Sequence, residues 1–342
     1  MQEDARAFTP QSILIIQTAF LGDVILATSL VEKLHFFFPE SRIDFLLRKG
    51  NEGALANNPK INQVMIWDKK RKYSSLFQLL HTIRQSKYDL VVNVQRFAAS
   101  GILAGLSGAK HIIGFDKNPL SFLFTRKVRH SFKGHEVQRN LNLIENITSQ
   151  ETVNPVMYPS VADEHAISVY TQSPYLCIAP ASVWFTKQFP VEKWVHFIES
   201  ITGLYQVYFL GSETDSALCE KIISLIKHHQ VQLINLSGKL SLTQTAALMK
   251  QAAMNYVNDS APLHIASAVN APVTAVFCST VPEFGFGPLS EKSFVVEINH
   301  GLYCRPCGIH GYKACPEGHF KCAFEIQIKD LLRTINIPST NT

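Results

Sequence analysis

The stretch MNYVNDSAPLHIASA, residues 254–268, changes from strand to helix in its middle. Its first five residues have the character of a short buried strand, and Asp259 and Ser260 are residue types that cap helix N-termini. Pro262 is compatible with the first turn of a helix, where its missing N–H is not needed. The junction leaves N–H groups and the positive end of a helix dipole available for a phosphate or diphosphate. The alternative is an ordinary capped helix with His264 satisfied in the interior.

A repeating strand and helix pattern extends from this stretch along the chain. Short apolar runs indicate strands buried on both faces, and they alternate with segments of helical periodicity. Strands are predicted at 12–17, 43–47, 64–67, 89–94, 111–114, 175–179, 206–210, 232–236, 254–258, 272–277 and 294–298. Helices are predicted at about 24–34, 51–58, 73–86, 97–107, 191–203, 214–228, 242–251, 261–269 and 324–335. This alternation predicts an α/β protein with open, parallel sheets.

The chain is long for a single domain, at 342 residues. Residues 151–175 contain three X-Pro pairs and little periodicity, which is typical of a linker or an excursion at the edge of a domain. We therefore expect one Rossmann-like domain over 1–160 and a second over 171–342, facing a central cleft.

The net charge of +5 is distributed unevenly. Residues 1–150 contain 20 Lys+Arg against 12 Asp+Glu, and residues 151–342 contain 12 against 15. A basic first half favours an anionic partner, either an acidic or phosphorylated molecule or a membrane surface. A solvated basic face without a specific partner is the alternative. No nucleic-acid motif is recognised, so no nucleic-acid partner is expected.

The sequence also gives an expectation about location. No apolar run is long enough to cross a bilayer, and the first residues lack the basic and then apolar order of a signal peptide. We expect a cytoplasmic protein.

Polar residues in the first half mark two places. Asp23 follows a glycine-containing turn after the first strand, where open α/β sheets bind ligands, although the turn lacks the full G-x-G-x-x-G. The alternative for Asp23 is a carboxylate that only caps the helix. Basic groups recur at 69–72, predicted as a loop, and at 126–130. His135 and Arg139 are four residues apart, so on a helix they would face the same way.

Polar residues in the second half follow the predicted strands. Ser182 and Lys187 come after the strand at 175–179, and Glu213 and Asp259 follow two other strands. The carboxyl ends of parallel strands lie at one edge, so these residues should converge. A hydroxyl, an ammonium, a carboxylate and a helix N-terminus together suit a nucleotide-sugar. Each residue alone has an ordinary alternative as a cap or a surface group.

The order of these motifs resembles the ADP-heptose:lipopolysaccharide heptosyltransferase family over nearly the whole chain. The matching segments are Thr18-Ala19-Phe20-Leu21-Gly22-Asp23-Val24-Ile25, His135-Glu136-Val137-Gln138-Arg139-Asn140, Lys187 before Phe189-Pro190, Gly211-Ser212-Glu213 and Asp259-Ser260-Ala261-Pro262-Leu263-His264-Ile265-Ala266. The resemblance implies a GT-B fold whose first domain binds the acceptor and whose second binds the ADP-sugar. It also implies metal-independent transfer with inversion at the anomeric carbon, and an acidic lipopolysaccharide inner-core acceptor at the inner membrane surface.

The resemblance further implies a role for each matching residue. Asp23 would be the general base, and Lys187 would stabilise the diphosphate leaving group. Glu213 would hold the ribose. Ser182 is placed on the donor side by the convergence of the strand ends alone. The set Asp259, Ser260, Ala261 and His264 would bind the diphosphate and the heptose, and His135 and Arg139 would lie on the acceptor side. These roles suit displacement at an anomeric carbon, because the departing diphosphate needs cationic and N–H donors and the attacking hydroxyl needs a base.

One position departs from the family pattern. Ala261 stands where the family usually has glycine, and its methyl group affects how closely the backbone approaches a phosphate or sugar. A transferase with another nucleotide-sugar donor or a protein acceptor therefore remains an alternative. A nucleotide-binding or metal-binding module without transfer activity is a second one.

Four of the seven cysteines form a separate pattern. Cys304, Cys307, Cys315 and Cys322 have the spacing C-x2-C-x7-C-x6-C, which favours a tetrahedral thiolate site. In a cytosolic protein a metal is favoured over two disulfides. In related protein heptosyltransferases such a cluster holds iron. We weigh a structural Zn or Fe site here against four reduced structural thiols. The other three cysteines are expected to be buried and reduced.

Overall fold

The computed structural model describes residues 8–202, 205–228 and 231–335. The chain divides into two compact units, Met1–Tyr158 and Pro159–Thr342. Each unit contains one six-stranded sheet in which every strand pair is parallel. This confirms the α/β class predicted from the sequence.

The first unit is built on a sheet with the strand order β3-β2-β1-β4-β5-β6. The strands are β1 (Ser12–Ile16), β2 (Arg42–Arg48), β3 (Gln63–Trp67), β4 (Leu90–Asn93), β5 (His111–Phe115) and β6 (Arg126–Val128). The helices are α1 (Leu21–Phe37), α2 (Lys72–Ser86), α3 (Ala98–Gly105) and α4 (Glu136–Leu141). All five residues of β1 are buried, as expected for a central strand covered on both faces.

The second unit repeats the same topology, with the order β12-β11-β10-β7-β8-β9. Its strands are β7 (Tyr175–Ala179), β8 (Gln206–Phe209), β9 (Gln232–Asn235), β10 (Met254–Asn258), β11 (Val273–Val276) and β12 (Ser293–Val296). Its helices are α5 (Val161–Ala166), α6 (Val191–Glu199), α7 (Ser216–Leu225), α8 (Leu242–Gln251), α9 (Ala261–Ala268), α10 (Lys321–Phe324) and α11 (Ile328–Leu332). Trp194, Phe197 and Tyr256 fill the core of this unit, where the rings of Phe197 and Tyr256 are 4.5 Å apart.

The strand order places a topological switch point in each sheet. The chain proceeds outward from β1 to β3 and then crosses to β4, and it proceeds from β7 to β9 and then crosses to β10. Ligands of open α/β sheets bind beside the carboxyl ends of the two strands that flank such a point. Those strands are β1 and β4 in the first unit and β7 and β10 in the second.

The strand and the helix of the stretch 254–268 form where its sequence predicts them. Residues 254–258 form a buried strand, and α9 starts at Ala261. Leu263, Ala266 and Ala268 are buried, so the helix packs its small and apolar residues inward.

Several predicted elements are wrong in detail. The predicted helix at 51–58 is a short 3-10 turn over Glu52–Leu55. The predicted helix at 324–335 is the shorter α11, and α10, which ends at Phe324, precedes it. The stretch 69–72 is a 3-10 turn that runs into α2, so it is not a loop. The stretch 151–175, predicted to be a linker or an excursion at the edge of a domain, does contain the division between the two units, but it also contains α5, where Ser160 and Asp163 form a capping box. Strand β6 was missed because its sequence, Arg-Lys-Val, is mostly charged.

Among the described residues, none of the helices combines the length and apolar character needed to cross a membrane.

Candidate active site

A nearly buried ion pair lies at the carboxyl end of β10. Lys187 Nζ is 2.6 Å from Asp259 Oδ2, and the two side chains are 13% and 6% exposed. The hydroxyl of Thr280, which follows β11, also donates to Asp259 Oδ2, at 2.6 Å. Residues from the loops after three adjacent strands, β7, β10 and β11, therefore meet at one carboxylate oxygen.

Asn258 holds the loop that carries Lys187. Its side-chain amide donates to the carbonyl of Pro180 at 2.7 Å, and its Oδ1 accepts from the N–H of Phe189 at 3.0 Å. Asn258 is fully buried as the last residue of β10, so the loop between β7 and α6 is fixed at both ends. Lys187 itself closes a 3-10 turn, Phe185–Lys187.

The N-terminus of α9 is capped differently from the sequence expectation. Ser260 occupies the N-cap position with an extended backbone, but its side chain accepts no capping hydrogen bond. Its hydroxyl instead points to the carbonyl of Asn258, at 3.4 Å. The prediction that Asp259 and Ser260 cap the helix through their side chains is therefore wrong, because Asp259 pairs with Lys187. Ala261 is half-buried at the first helical position.

The other residues predicted for the donor side lie after neighbouring strands or in α9. Ser182 is half-buried after β7, and Glu213 is exposed in a 3-10 turn after β8. His264 is buried in α9, with its ring 6.2 Å from that of Phe286 in an edge-to-face arrangement. Gly238 packs on the Glu213 turn, since a Cβ there would lie 2.8 Å from Glu213 Cα. The sequence prediction that loops of the second unit gather at one sheet edge agrees with the strand order.

In the first unit, Asp23 lies at the switch point beside β1. It is the third residue of α1, and its Oδ2 accepts from the backbone N–H of Phe20 at 3.1 Å. Asp23 therefore does cap the start of α1, which was the alternative considered from the sequence. The carboxylate is half-exposed, and its charge helps raise the pKa of the buried Glu136, although burial of Glu136 is the larger cause.

The residues of α4 behave differently from the prediction. His135 is the N-cap of α4, and its Nδ1 accepts from Val137 N at 3.2 Å. The spacing argument for His135 and Arg139 assumed that both lie within a helix, whereas His135 is the N-cap, whose carbonyl accepts from the N–H of Arg139 at 3.0 Å. Arg139 is buried and pairs with Glu136, with Nε 3.2 Å from Oε2. Burial lowers the pKa of Arg139, opposed by Glu136.

Among the described residues, three cation and aromatic pairs lie along the carboxyl edge of the first sheet. Arg48 lies over the ring of Phe20 at 4.9 Å and Lys69 over Trp67 at 5.0 Å. A third cation, Arg96, lies 5.6 Å from the ring centroid of the exposed Phe132. These residues end or follow β1, β2, β3, β4 and β6, so the basic character of the first half includes a row of cations at the edge that carries Asp23. This row, Arg48, Lys69 and Arg96, is called the cationic edge below.

The four patterned cysteines surround one cavity in the second unit. Cys304, Cys307, Cys315 and Cys322 line a space of about 250 Å³ together with His319, Thr186 and Ser279. All four are free thiols, and burial raises the pKa of Cys322 to about 12. No group of three or more His, Cys, Asp or Glu side chains within the described ranges is arranged to hold a metal ion. The other three, Cys177, Cys219 and Cys278, are buried as expected.

Sequence reasoning missed Asn258, Thr280, Thr186 and Ser279. Ser279 and Thr280 follow the predicted strand at 272–277 by two and three residues, so the rule that found Asp259 could have found them. Asn258 was assigned to the strand, and Thr186 had no signal besides its neighbour Lys187.

The profile of the family described as glycosyltransferase family 9 (heptosyltransferase) matches residues 76–311. The chain belongs to glycosyltransferase family 9. The resemblance read from the motifs is thereby confirmed, and the protein is a glycosyltransferase.

Three relatives illustrate the match. The chain is 29% identical to lipopolysaccharide heptosyltransferase 3 of Escherichia coli over 283 residues, which cover 76% of this chain and 82% of the relative. The solved structure of E. coli ADP-heptose lps heptosyltransferase II superposes with a TM-score of 0.78 at 21% identity, covering 95% of this chain and 97% of the other. The iron-containing dodecameric glycosyltransferase TibC from enterotoxigenic E. coli H10407 gives a TM-score of 0.57 at 16% identity, covering 96% and 76%. The fold of this family 9 member is GT-B, as predicted.

Proposed function

We propose that this family 9 glycosyltransferase moves a heptose from ADP-heptose to an acidic acceptor in the inner core of lipopolysaccharide, with inversion at the anomeric carbon. The names of its relatives support the donor and the acceptor class. The observation that carries the proposal is the Lys187 ammonium held at the start of α9 by Asp259, beside the switch point of the second sheet.

On the donor side, the developing negative charge falls on the diphosphate. As the anomeric carbon–oxygen bond breaks, its electron pair leaves with ADP, and Lys187 and the N–H groups at the start of α9 stabilise that charge. The diphosphate competes with Asp259 for the ammonium. Glu213 binds the ribose, and Ser182, Ser260, Ala261 and His264 contact the diphosphate or the heptose.

On the acceptor side, Asp23 accepts the proton of the attacking hydroxyl while the new carbon–oxygen bond forms. Asp23 lies at the ligand-binding edge of its sheet, and the half-exposed position of its carboxylate leaves it accessible from that edge. Arg139 and His135 support the acceptor side through α4, and the cationic edge suits an anionic glycolipid met at the surface of the inner membrane.

For the Cys-rich segment, Cys304–Cys322, we propose a structural Zn or Fe site, which is separate from the chemistry of transfer. The donor set supports this, because four thiols line one cavity and soft thiolates favour these metals. Among the described residues the side chains are not arranged to hold a metal ion, so this proposal rests on the donor set alone. The iron named for TibC is consistent with the same donor chemistry. Four ligands from the protein would leave no open position for substrate.

The test of the donor assignment is calorimetric binding of ADP-heptose, ADP-glucose and UDP-glucose. We expect ADP-heptose to bind most tightly, and Lys187→Ala to weaken it at least tenfold, because the ammonium contacts the charged diphosphate. Lys221→Ala is the matched control, since Lys221 is an exposed lysine on α7 of the same unit.

Two outcomes would contradict the donor assignment. Equal, weak binding of the three nucleotide-sugars would show that the site does not select ADP-heptose. Unchanged binding by Lys187→Ala would remove the role given to the ion pair and favour the non-catalytic alternative.

A further inference from the structure

The Cys-rich segment contacts the Lys187 loop directly, away from any cysteine. The backbone N–H of Thr186 donates to the carbonyl of Tyr312 at 3.1 Å, and the N–H of Tyr312 donates back to Thr186 Oγ1 at 2.8 Å. These two bonds close a ring between the residue next to Lys187 and the segment that contains the patterned cysteines. Thr186 is 1% exposed, so water cannot replace either bond.

The same segment holds the loop that supports Asp259. Cys307 N donates to the carbonyl of Ser279 at 2.8 Å, and Arg305 Nη2 donates to the carbonyl of Thr280 at 2.7 Å. Ser279 in turn joins the loop after β11 to the Lys187 loop, because its hydroxyl donates to Thr186 Oγ1 at 3.0 Å. The pairs Thr186–Ser279 and Lys187–Asp259 thus join the loop after β7 to the loop after β11 and to the junction between β10 and α9, respectively.

Gly311 shows how closely the segment approaches the lysine. Its φ is +75°, and a Cβ at this position would lie 2.8 Å from Thr186 Oγ1 and 3.3 Å from Lys187 Cγ. Contacts shorter than 3.0 Å require something to shift, so an added methyl group would press on the loop at both residues.

We infer that Thr186 is a positioning residue for Lys187, and that the segment from Arg305 to Tyr312 sets the place of the lysine in the donor site. The hydroxyl oxygen of Thr186 accepts hydrogen bonds from the N–H of Tyr312 and from the hydroxyl of Ser279. These bonds fix the backbone from which Lys187 extends. This inference rests on the proposed role of Lys187 toward the diphosphate. It requires no metal in the cysteine cavity.

The experiment measures the affinities of ADP and adenosine by calorimetry, with adenosine followed by competition where its binding is weak. Thr186→Val keeps the shape of the side chain but removes the acceptor for two buried donors. We expect it to weaken ADP about tenfold, or about 1.4 kcal/mol, and to leave adenosine unchanged, because only ADP reaches Lys187. Thr186→Ser should restore ADP binding.

Thr274→Val is the matched control. Thr274 is a fully buried threonine in β11 whose hydroxyl donates to Thr334 Oγ1 at 2.9 Å, so its loss costs a similar bond elsewhere in the same unit. We expect this variant to bind ADP like the unsubstituted chain.

A second pair of variants decides the question if Thr186→Val does not fold. Gly311→Ala keeps every donor and acceptor but adds the methyl group against Thr186 and Lys187. Gly308→Ala lies in the same segment with a similar positive φ of +67°, yet its nearest contact for a Cβ is 3.7 Å away. Both substitutions carry the same kind of backbone strain, so only Gly311→Ala should weaken ADP relative to adenosine.

The outcomes separate this inference from the proposed function. Equal loss of ADP and adenosine binding in Thr186→Val or Gly311→Ala would mean a purely structural role and would overturn the inference. Loss of ADP binding in Lys187→Ala, with none in Thr186→Val and Gly311→Ala, would also overturn it but leave the donor site in place. No loss in Lys187→Ala would instead contradict the proposed function.

Discussion

Asp23 combines a structural and a proposed chemical role that one substitution can separate. Asparagine keeps an oxygen for the N–H of Phe20 but cannot take a proton from an acceptor hydroxyl. Asp23→Asn should therefore lower kcat by about 10²- to 10⁴-fold, with donor affinity and melting temperature nearly unchanged. Asp23→Ala should lose the cap as well, at about 1 kcal/mol of stability. Steady-state kinetics, calorimetry and thermal unfolding measure the three effects.

The control for Asp23 is another carboxylate on the same sheet edge. Asp68 follows β3 and accepts from the N–H of Lys70 at 3.0 Å, so it is also a carboxylate that caps a turn. Asp68→Asn should leave kcat unchanged. If Asp23→Asn transfers heptose as fast as this control, then Asp23 is only a capping residue.

At the scale of single residues, the sequence revealed side chains whose position follows from strand ends. Lys187 and Asp259 were found because each lies between a predicted strand and a predicted helix. Thr186 was not found, because its function depends on Tyr312, which is distant along the chain and has no periodic pattern that predicts the contact. His135 was considered as part of a helix but is its N-cap, because a shift of one residue in the helix boundary separates the two positions.

At the scale of elements, apolar runs predicted every strand of the two described sheets except β6, because central parallel strands are buried on both faces. The strand that escaped, β6, lies at an edge and is partly charged, so it carries no such run. The C-terminal helix was predicted too long, at 324–335, and α10 was missed, since a helix of four residues is too short for a periodic pattern. The resemblance supplied the roles of the residues, which periodicity alone could not.

The Cys-rich segment provides a prediction at this scale. A metal must displace protons from the thiols, and burial raises the pKa of Cys307 and Cys322, so metal affinity should fall as the pH is lowered. Purified chain should contain about one Zn or Fe ion by emission spectrometry, and a chelator should lower its melting temperature. Cys304→Ser should lose the metal, whereas Cys219→Ser, at a buried cysteine on α7, should retain it. Metal-free protein whose melting temperature responds neither to chelator nor to added zinc would establish reduced structural thiols instead.

At the scale of the whole molecule, the asymmetry of charge predicts where the chain meets an anionic surface. The excess of Lys and Arg lies in residues 1–150, and the cationic edge is accompanied by the exposed rings of Phe97 and Phe132, which are 70% and 57% exposed. Each cation near an anionic bilayer is worth about 1 kcal/mol, and screening is strong beyond about 10 Å at 0.1 M salt. The first unit should therefore carry the attraction, and it should weaken with salt.

Sedimentation with vesicles tests this expectation. The full chain should bind vesicles that contain phosphatidylglycerol at low salt, dissociate as salt is raised, and ignore vesicles of phosphatidylcholine alone. Reversing Arg48 and Arg96 to Glu should weaken binding at least tenfold, since two attractive charges become repulsive. Reversing Lys221 and Lys250, which are exposed in the second unit, changes the net charge equally and should have little effect. Equal losses of vesicle binding in the two double variants would show that net charge, rather than the cationic edge, determines the attraction. An absence of binding by the unsubstituted chain would mean that the acceptor is reached without contact between this edge and the bilayer.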